Sequence, residues 1–250
     1  TRFIIAIAKS RVKICLVTQR SLMTCVCFST LHFTICHTIF QLLAGKITLS
    51  FDTRKKTVYN GFNMQFEEIE GRAEMKVLIV VDMQKDFVDG SLGTPEAQAI
   101  VPAVVEKAAD YEGKVIFTKD THGEDYLSTR EGKYLPVEHC IKGTPGWKLL
   151  PELEKICSER QCTVYEKDTF GSVKLMEDLL QRQTAGGIEE IELIGLCTDI
   201  CVVSNALLLK AAMPETDIKV DASCCAGVTK ESHEAALCTM KSCQIQILGN

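Results

Sequence analysis

Three residues that could together make a thiol nucleophile stand where apolar runs end. Asp82 closes MKVLIVVD, Lys167 closes TVYEK, and Cys201 lies just beyond IELIGL. A thiol, an acid to take its proton and a cation to steady the charges are the parts of an activated nucleophile. A charged group ending a strand as apolar as LIVV is rarely there for packing. Cys201 has a companion four residues earlier, Cys197, in GLCTDICV. The two could be a metal or redox pair or merely packed thiols. Cys201 is expected in the first turn of a helix, where unpaired N–H groups and the positive end of the helix dipole favour a thiolate. Cys197 falls in the preceding turn.

A second cluster lies in DTHGEDYLSTREGKYLPVEHC. Asp120 and His122, in D-x-H spacing, can reach one ion, and His139 can close the set from the far end of the connection. Two imidazoles and a carboxylate with open positions suit Zn, Fe or Mn at a catalytic site. Glu131 is a fourth, weaker candidate ligand. His233, inside an apolar-faced helix, is read as packing.

Residues at the ends of strands need a sheet to bring them together. MKVLIVVD reads as a strand with β-branched, doubly buried character, and KVIFTKD, CTVYEKD, IEEIELIGL, DIKVDA and CQIQIL read as further strands. Helix patterns separate them: 94–113, from an N-capping Thr94 with Pro95 at the first position; WKLLPELEKIC; SVKLMEDLLQRQ; TDICVVSNALLLKAA; and KESHEAALCTMKS. The alternation predicts an α/β fold, a three-layer α/β/α sandwich around a mostly parallel sheet of six strands. Ligands in such folds bind beyond the carboxyl ends of the strands, at the point where strand order reverses. The first turn, DMQKDFVDGSLG, has neither a G-x-G-x-x-G nor a Walker pattern, which argues against dinucleotide or NTP binding.

A net charge of -5 supplies no basic field for nucleic acid. The 13 cysteines form no paired C-x-x-C framework and are scattered through apolar runs, which suits a reducing, cytoplasmic setting. Residues 1–50 carry six basic residues and no acid, unlike the periodic part from Met75 onward. The chain begins with Thr, and residues 1–74 are expected to be an upstream extension, poorly structured or not native, before a start at Met75 or Met64. The uncharged run from Ser21 to Gly45 is long enough to span a bilayer. Its Thr, Cys, Ser and His content makes a membrane anchor the second reading.

VDMQKDFVDGSL, TKDTHGEDY, HCIKGTPGW, EKDTFGS and GLCTDICV, in that order, resemble the motifs of the isochorismatase-like cysteine hydrolases. The D-x-H plus His set is similar to the nicotinamidase (pyrazinamidase) branch. The resemblance covers 75–250, taken as the hydrolase domain. It implies strand order 3-2-1-4-5-6, a catalytic triad of Asp82, Lys167 and Cys201, and metal ligands Asp120, His122 and His139, with zinc the expected ion. It further implies a non-proline cis peptide at Leu196–Cys197, an oxyanion site at the amides of Cys197 and Cys201, and ring contacts from Phe87 with Tyr134 or Leu135. The implied reaction is hydrolysis of nicotinamide to nicotinate and ammonia through a thioester, as in NAD salvage. The alternative is a metal-independent cysteine hydrolase of the same fold acting on another small amide or carbamoyl compound. A small-molecule substrate and a homo-oligomer are expected, without nucleic acid or membrane.

Overall fold

The structure, a computed structural model, describes residues 2–8, 11–18, 21–29, 75–185 and 187–249. They belong to two units, Thr1–Arg72 and Ala73–Asn250. In the first, β1 (Arg2–Ala8), β2 (Arg11–Thr18) and β3 (Ser21–Ser29) form an antiparallel sheet in that order. The remainder of the uncharged run, 30–45, lies outside the described residues, as does 46–74. Among the described residues no helix is long and apolar enough to cross a membrane.

The second unit is built on β4 (Met75–Val81), the run MKVLIVV. Its residues alternate between two cores, as the period of a strand requires. Val77, Ile79 and Val81 face one side, and Leu78 and Val80 the other. Parallel neighbours flank β4: β5 (Lys114–Asp120), β6 (Thr163–Lys167), β7 (Ile188–Leu196), β8 (Asp217–Ala226) and β9 (Gln246–Leu248). The order is β6-β5-β4-β7-β8-β9, and every pairing is parallel. This is the expected 3-2-1-4-5-6 sheet, with its order reversing between β4 and β7.

Helices cover both faces. After the short α1 (Lys85–Val88), α2 (Pro95–Ala99) and α3 (Val101–Asp110) join α5 (Pro151–Glu159) in packing Ala97, Val104, Ala108, Leu153 and Ile156 onto one side. The small α4 (Arg130–Tyr134) lies in the long connection after β5. On the other side α6 (Val173–Thr184), α7 (Val203–Ala212) and α8 (Lys230–Ser242) bury Leu175, Leu179, Leu209, Leu237 and Met240.

Three helices differ from their sequence expectation. The single helix expected over 94–113 is two, divided at Ile100, with Pro102 in the first turn of the second. Pro has no N–H to donate back into a preceding turn, so it starts a helix there instead of continuing one. The helix expected from Trp147 begins at Pro151. Its first residues form instead a turn that leads to a single bridge of Leu149 to Gln84, with the Leu150 N–H donating to Met83 O at 3.1 Å. Third, Thr198–Val202 is a π-helical turn ahead of α7, so Cys201 sits in that turn and not in the first turn of an α-helix.

One glycine fixes the spacing of the central strands. Gly195 has φ +112° and pairs with Val81, and a β-carbon on it would come within 2.2 Å of Val81 O. Only glycine fits this conformation and this approach.

Candidate active site

Strand register does most of the assembly. Asp120 pairs with Lys167 across β5 and β6, and Val81 pairs with Gly195 across β4 and β7. The residues just past these pairs therefore crowd one end of the sheet. Asp82 has φ 47°, a left-handed conformation unusual for a side chain larger than glycine. Its N–H lies 3.3 Å from Thr118 O and 3.2 Å from Thr118 Oγ1, and the Thr118 hydroxyl donates to Asp82 Oδ1 at 2.7 Å.

Lys167 stands at the centre. Its Nζ lies 2.7 Å from Asp82 Oδ2, 3.3 Å from Asp120 Oδ1 and 3.5 Å from Cys201 Sγ. All four residues are buried. Burial alone would lower the Lys167 pKa, but the charges of Asp82, Cys201 and Asp120 overcome it and hold the ammonium well above its usual range. Burial raises the Asp82 pKa against the pull of Lys167. Burial, reinforced by the Asp82 charge, likewise raises that of Cys201. A buried thiol thus lies beside a lysine–carboxylate pair, the parts from which an activated nucleophile can be made.

Cys197 shares with Cys201 a pKa that burial raises, here to about 12. The Leu196–Cys197 peptide bond is cis. Cys197 O accepts from Ile200 N at 3.1 Å and from Val202 N at 3.0 Å, closing the turn that carries Cys201.

Beside this group Asp120, His122, Glu131 and His139 each offer a ligand atom, all within 4.8 Å of one another. His122 Nε2 lies 3.1 Å from Asp120 Oδ2, and His139 Nε2 lies 3.7 Å from it. Glu131 Oε1 is 3.7 Å from His122 Nε2 and 3.8 Å from His139 Nε2. His139 Nδ1 makes a 2.9 Å hydrogen bond to Val137 O, which leaves Nε2 as the ligating nitrogen. Burial works to raise the Asp120 pKa, but hydrogen bonds from the two imidazoles and the Lys167 charge outweigh it and hold the carboxyl well below its usual range. The donor set of two imidazoles and two carboxylates fits a divalent cation of the Zn, Fe or Mn kind.

The expected ring-contacting residues separate. Phe87 packs against His139, ring centroids 5.5 Å apart. Tyr134 is 80% exposed, its ring 5.6 Å from the Arg130 guanidinium, and Leu135 is partly exposed and supplies a carbonyl to Tyr126.

Sequence reasoning passed over Gln84, Tyr126 and Asn205. Gln84 is fully buried; its amide donates to Asp120 O at 2.8 Å and Trp147 O at 2.9 Å and accepts from Asp120 N at 2.7 Å. That clamps the ends of β4 and β5 to the turn before α5. Tyr126 is also fully buried and lies against both His122 and His139, at 4.7 Å and 4.9 Å between centroids. Asn205, one turn beyond Cys201, donates to Cys201 O at 2.8 Å and Phe170 O at 3.2 Å and accepts from Ser172 N at 2.9 Å. It ties the segment after Lys167 to the turn bearing the thiol. Gln84 and Tyr126 fall inside the quoted motifs DMQKDF and HGEDY, but an uncharged side chain gives no sign in sequence of which backbone groups it will bind.

Comparison with known proteins bears on this arrangement. A family model described as an isochorismatase domain matches residues 76–249. A nicotinamidase/pyrazinamidase of Mycobacterium tuberculosis is 29% identical over 188 residues, 70% of this chain and 98% of that protein. A solved nicotinamidase/pyrazinamidase from Bacillus subtilis matches with a TM-score of 0.61 at 28% identity, over 70% of this chain and 99% of that one. A pyrazinamidase of Pyrococcus horikoshii, solved in complex with zinc, matches with a TM-score of 0.57 at 28% identity, over 70% and 99% of the two chains.

Proposed function

From a chain that belongs to the isochorismatase family and is an amidohydrolase of it, we propose a nicotinamidase that converts nicotinamide to nicotinate and ammonia through a thioester on Cys201. The observation that carries the reading is the contact of one buried ammonium, Lys167, with Asp82, Asp120 and the Cys201 thiol. The zinc-bound pyrazinamidase and the nicotinamidases among the relatives support the substrate class.

In this mechanism Asp82 takes the Cys201 proton as sulfur attacks the amide carbon, and Lys167 offsets the charge that develops. The amides of Cys197 and Cys201 receive the oxyanion. Asp82 gives its proton to the departing nitrogen, the C–N bond breaks, and ammonia leaves behind a C–S bond. Asp82 then takes a proton from water as its oxygen attacks the thioester. The C–S bond breaks, the acid departs, and the thiol regains its proton. Asp120, His122 and His139, with Glu131, would hold a divalent cation, which when bound would supply Lewis acidity at this end of the sheet. Phe87 bounds the substrate ring from the His139 side.

An ammonia-release assay over nicotinamide, pyrazinamide and small carbamoyl compounds, with and without chelator, tests this reading. Nicotinamide and pyrazinamide are expected to be turned over, with activity falling by about tenfold or more on metal removal and returning with Zn, Fe or Mn. Full activity in the metal-free protein, with carbamoyl compounds preferred, would instead establish the metal-independent hydrolase. We assign the activity to 75–250, so a chain begun at Met75 is expected to keep its kcat; loss of turnover in that shorter but folded chain would refute the assignment.

Thr118 offers a test of the proton acceptor. Its hydroxyl stabilises the Asp82 carboxylate, so it lowers a pKa that burial raises. Asp82 must be ionised to accept a proton, and activity falls as pH drops through its pKa. Thr118→Val, near in shape, is expected to move the acid limb of kcat/KM upward by about one pH unit, the worth of one hydrogen bond to a charged group. A limb that stays in place, or moves down, would remove Asp82 from the role.

A further inference from the structure

His233 is absent from the proton-transfer scheme, and sequence alone reads it as part of an apolar helix. In the fold it faces the turn between the cis peptide and the nucleophile. Its Nδ1 lies 2.8 Å from the Thr198 hydroxyl, and Thr198 is completely buried between Cys197 and Cys201. A buried hydroxyl requires a hydrogen-bond partner, and either tautomer of the ring provides one.

The ring is itself held in place. A capping box of Thr229 and Ser232 sets the first turn of α8, and His233 N donates to Thr229 O at 3.0 Å. Gly227 packs so closely that a β-carbon there would lie 2.8 Å from His233 Cβ. A second tether runs alongside, from Val228 N to Asp199 Oδ1 at 3.1 Å. The turn from Cys197 to Cys201 is therefore fastened from outside through two successive residues, Thr198 and Asp199. Burial holds the His233 pKa below its usual range against the charges of Asp199 and Glu234, so the ring is neutral.

We propose that His233 is a positioning residue: by holding Thr198 it fixes the turn whose Cys197 and Cys201 amides receive the oxyanion. The proposal deepens the amidase reading and rests on it for its catalytic consequence. A turn free to shift loses transition-state stabilisation while ground-state binding persists, because oxyanion donors act only where charge develops. His233→Ala is thus expected to lower kcat on nicotinamide by about 10- to 100-fold, the scale of a displacement of about 1 Å, with KM little changed.

The geometry of the bond gives the sharper test. An asparagine amide can occupy the position of Nδ1, whereas a glutamine amide reaches that of Nε2. His233→Asn should restore most of kcat and His233→Gln should not. Thr198→Val should match His233→Ala, and the double variant should lose nothing further, since both remove one interaction. Hydrogen exchange over 197–203 supplies a readout without substrate: faster exchange in His233→Ala, returned to wild type in His233→Asn. Unchanged exchange and kcat in His233→Ala would overturn the proposal. So would equal behaviour of the Asn and Gln variants, or a loss of thermal stability with no local change in the turn. If no amide is turned over by the wild type, the amidase reading fails by itself, and the exchange arms still decide whether His233 holds the turn.

Discussion

Cys201→Ala is expected to abolish ammonia release from nicotinamide, with a fall in kcat of about four to six orders of magnitude, as when a nucleophile acting as one unit with its partners is removed. The thiol is 5% exposed and lies within the core beneath α7, so the smaller side chain should leave the fold intact. Cys201→Ser keeps the shape and is also expected to be inactive, because a neutral hydroxyl is a far weaker nucleophile than a thiol. In the wild type, acid quenching during turnover should trap an acyl adduct on Cys201 that mass spectrometry can locate. Appreciable turnover by the Ala variant would end the thioester mechanism. An adduct on Cys197 would move the nucleophile to the other cysteine.

The second large effect is expected at Lys167. Lys167→Met keeps the length of the side chain and removes the charge that faces Asp82, Asp120 and Cys201. Removing one partner of a buried ion pair leaves the other uncompensated and costs about 3 to 5 kcal/mol. Denaturant melts should show that loss at neutral pH, together with a fall in kcat of about three orders of magnitude or more.

The pH dependence of the loss has a definite sign. Lys167 lowers the Asp82 pKa, and without it the folded-state value rises further above the unfolded one. A group with a raised folded pKa binds more protons in the native state, so stability falls as pH rises through that range. The variant should therefore recover stability on mild acidification, where Asp82 becomes neutral. A deficit that is independent of pH would mean that lost packing, and not the unpaired carboxylate, causes it.

Much of this arrangement was legible in the sequence. Alternation of apolar runs with helical periodicity is enough to build the sheet, and a charge ending a doubly buried strand marks itself, as Asp82 does after β4; Lys167 ends an edge strand that is largely exposed, and there the charge gives a weaker sign. Asp120, His122 and His139 were legible because metal-ligating residue types are few and their spacing is local. What could not be read depends on contacts remote in the chain. The break at Ile100 follows from Pro102 and could have been anticipated. The π-helical turn at Thr198–Val202 adds a residue to its turn, but the run that follows, VVSNALLLKAA, is apolar at so many positions that the shift of phase leaves no trace. Gln84 and Asn205 act through backbone carbonyls and amides, which every residue carries, so nothing in sequence names their partners. Tyr134 looks like an aromatic for a substrate ring, yet the small helix α4 directs it to solvent and buried Tyr126 lies against the imidazoles instead.

Gly195 makes the width of one sheet seam a catalytic dimension. Asp82 follows directly on Val81, and the turn carrying Cys201 follows Leu196, so the approach of Val81 to Gly195 sets how far apart the acid and the thiol begin. At that seam a hydrogen atom stands where every other amino acid would carry carbon, 2.2 Å from a carbonyl oxygen that cannot retreat from the core. The separation of Asp82 from Cys201 thereby starts from two buried backbones, and the tethers on the turn act within that frame. The gauge of that gap is the smallest side chain there is.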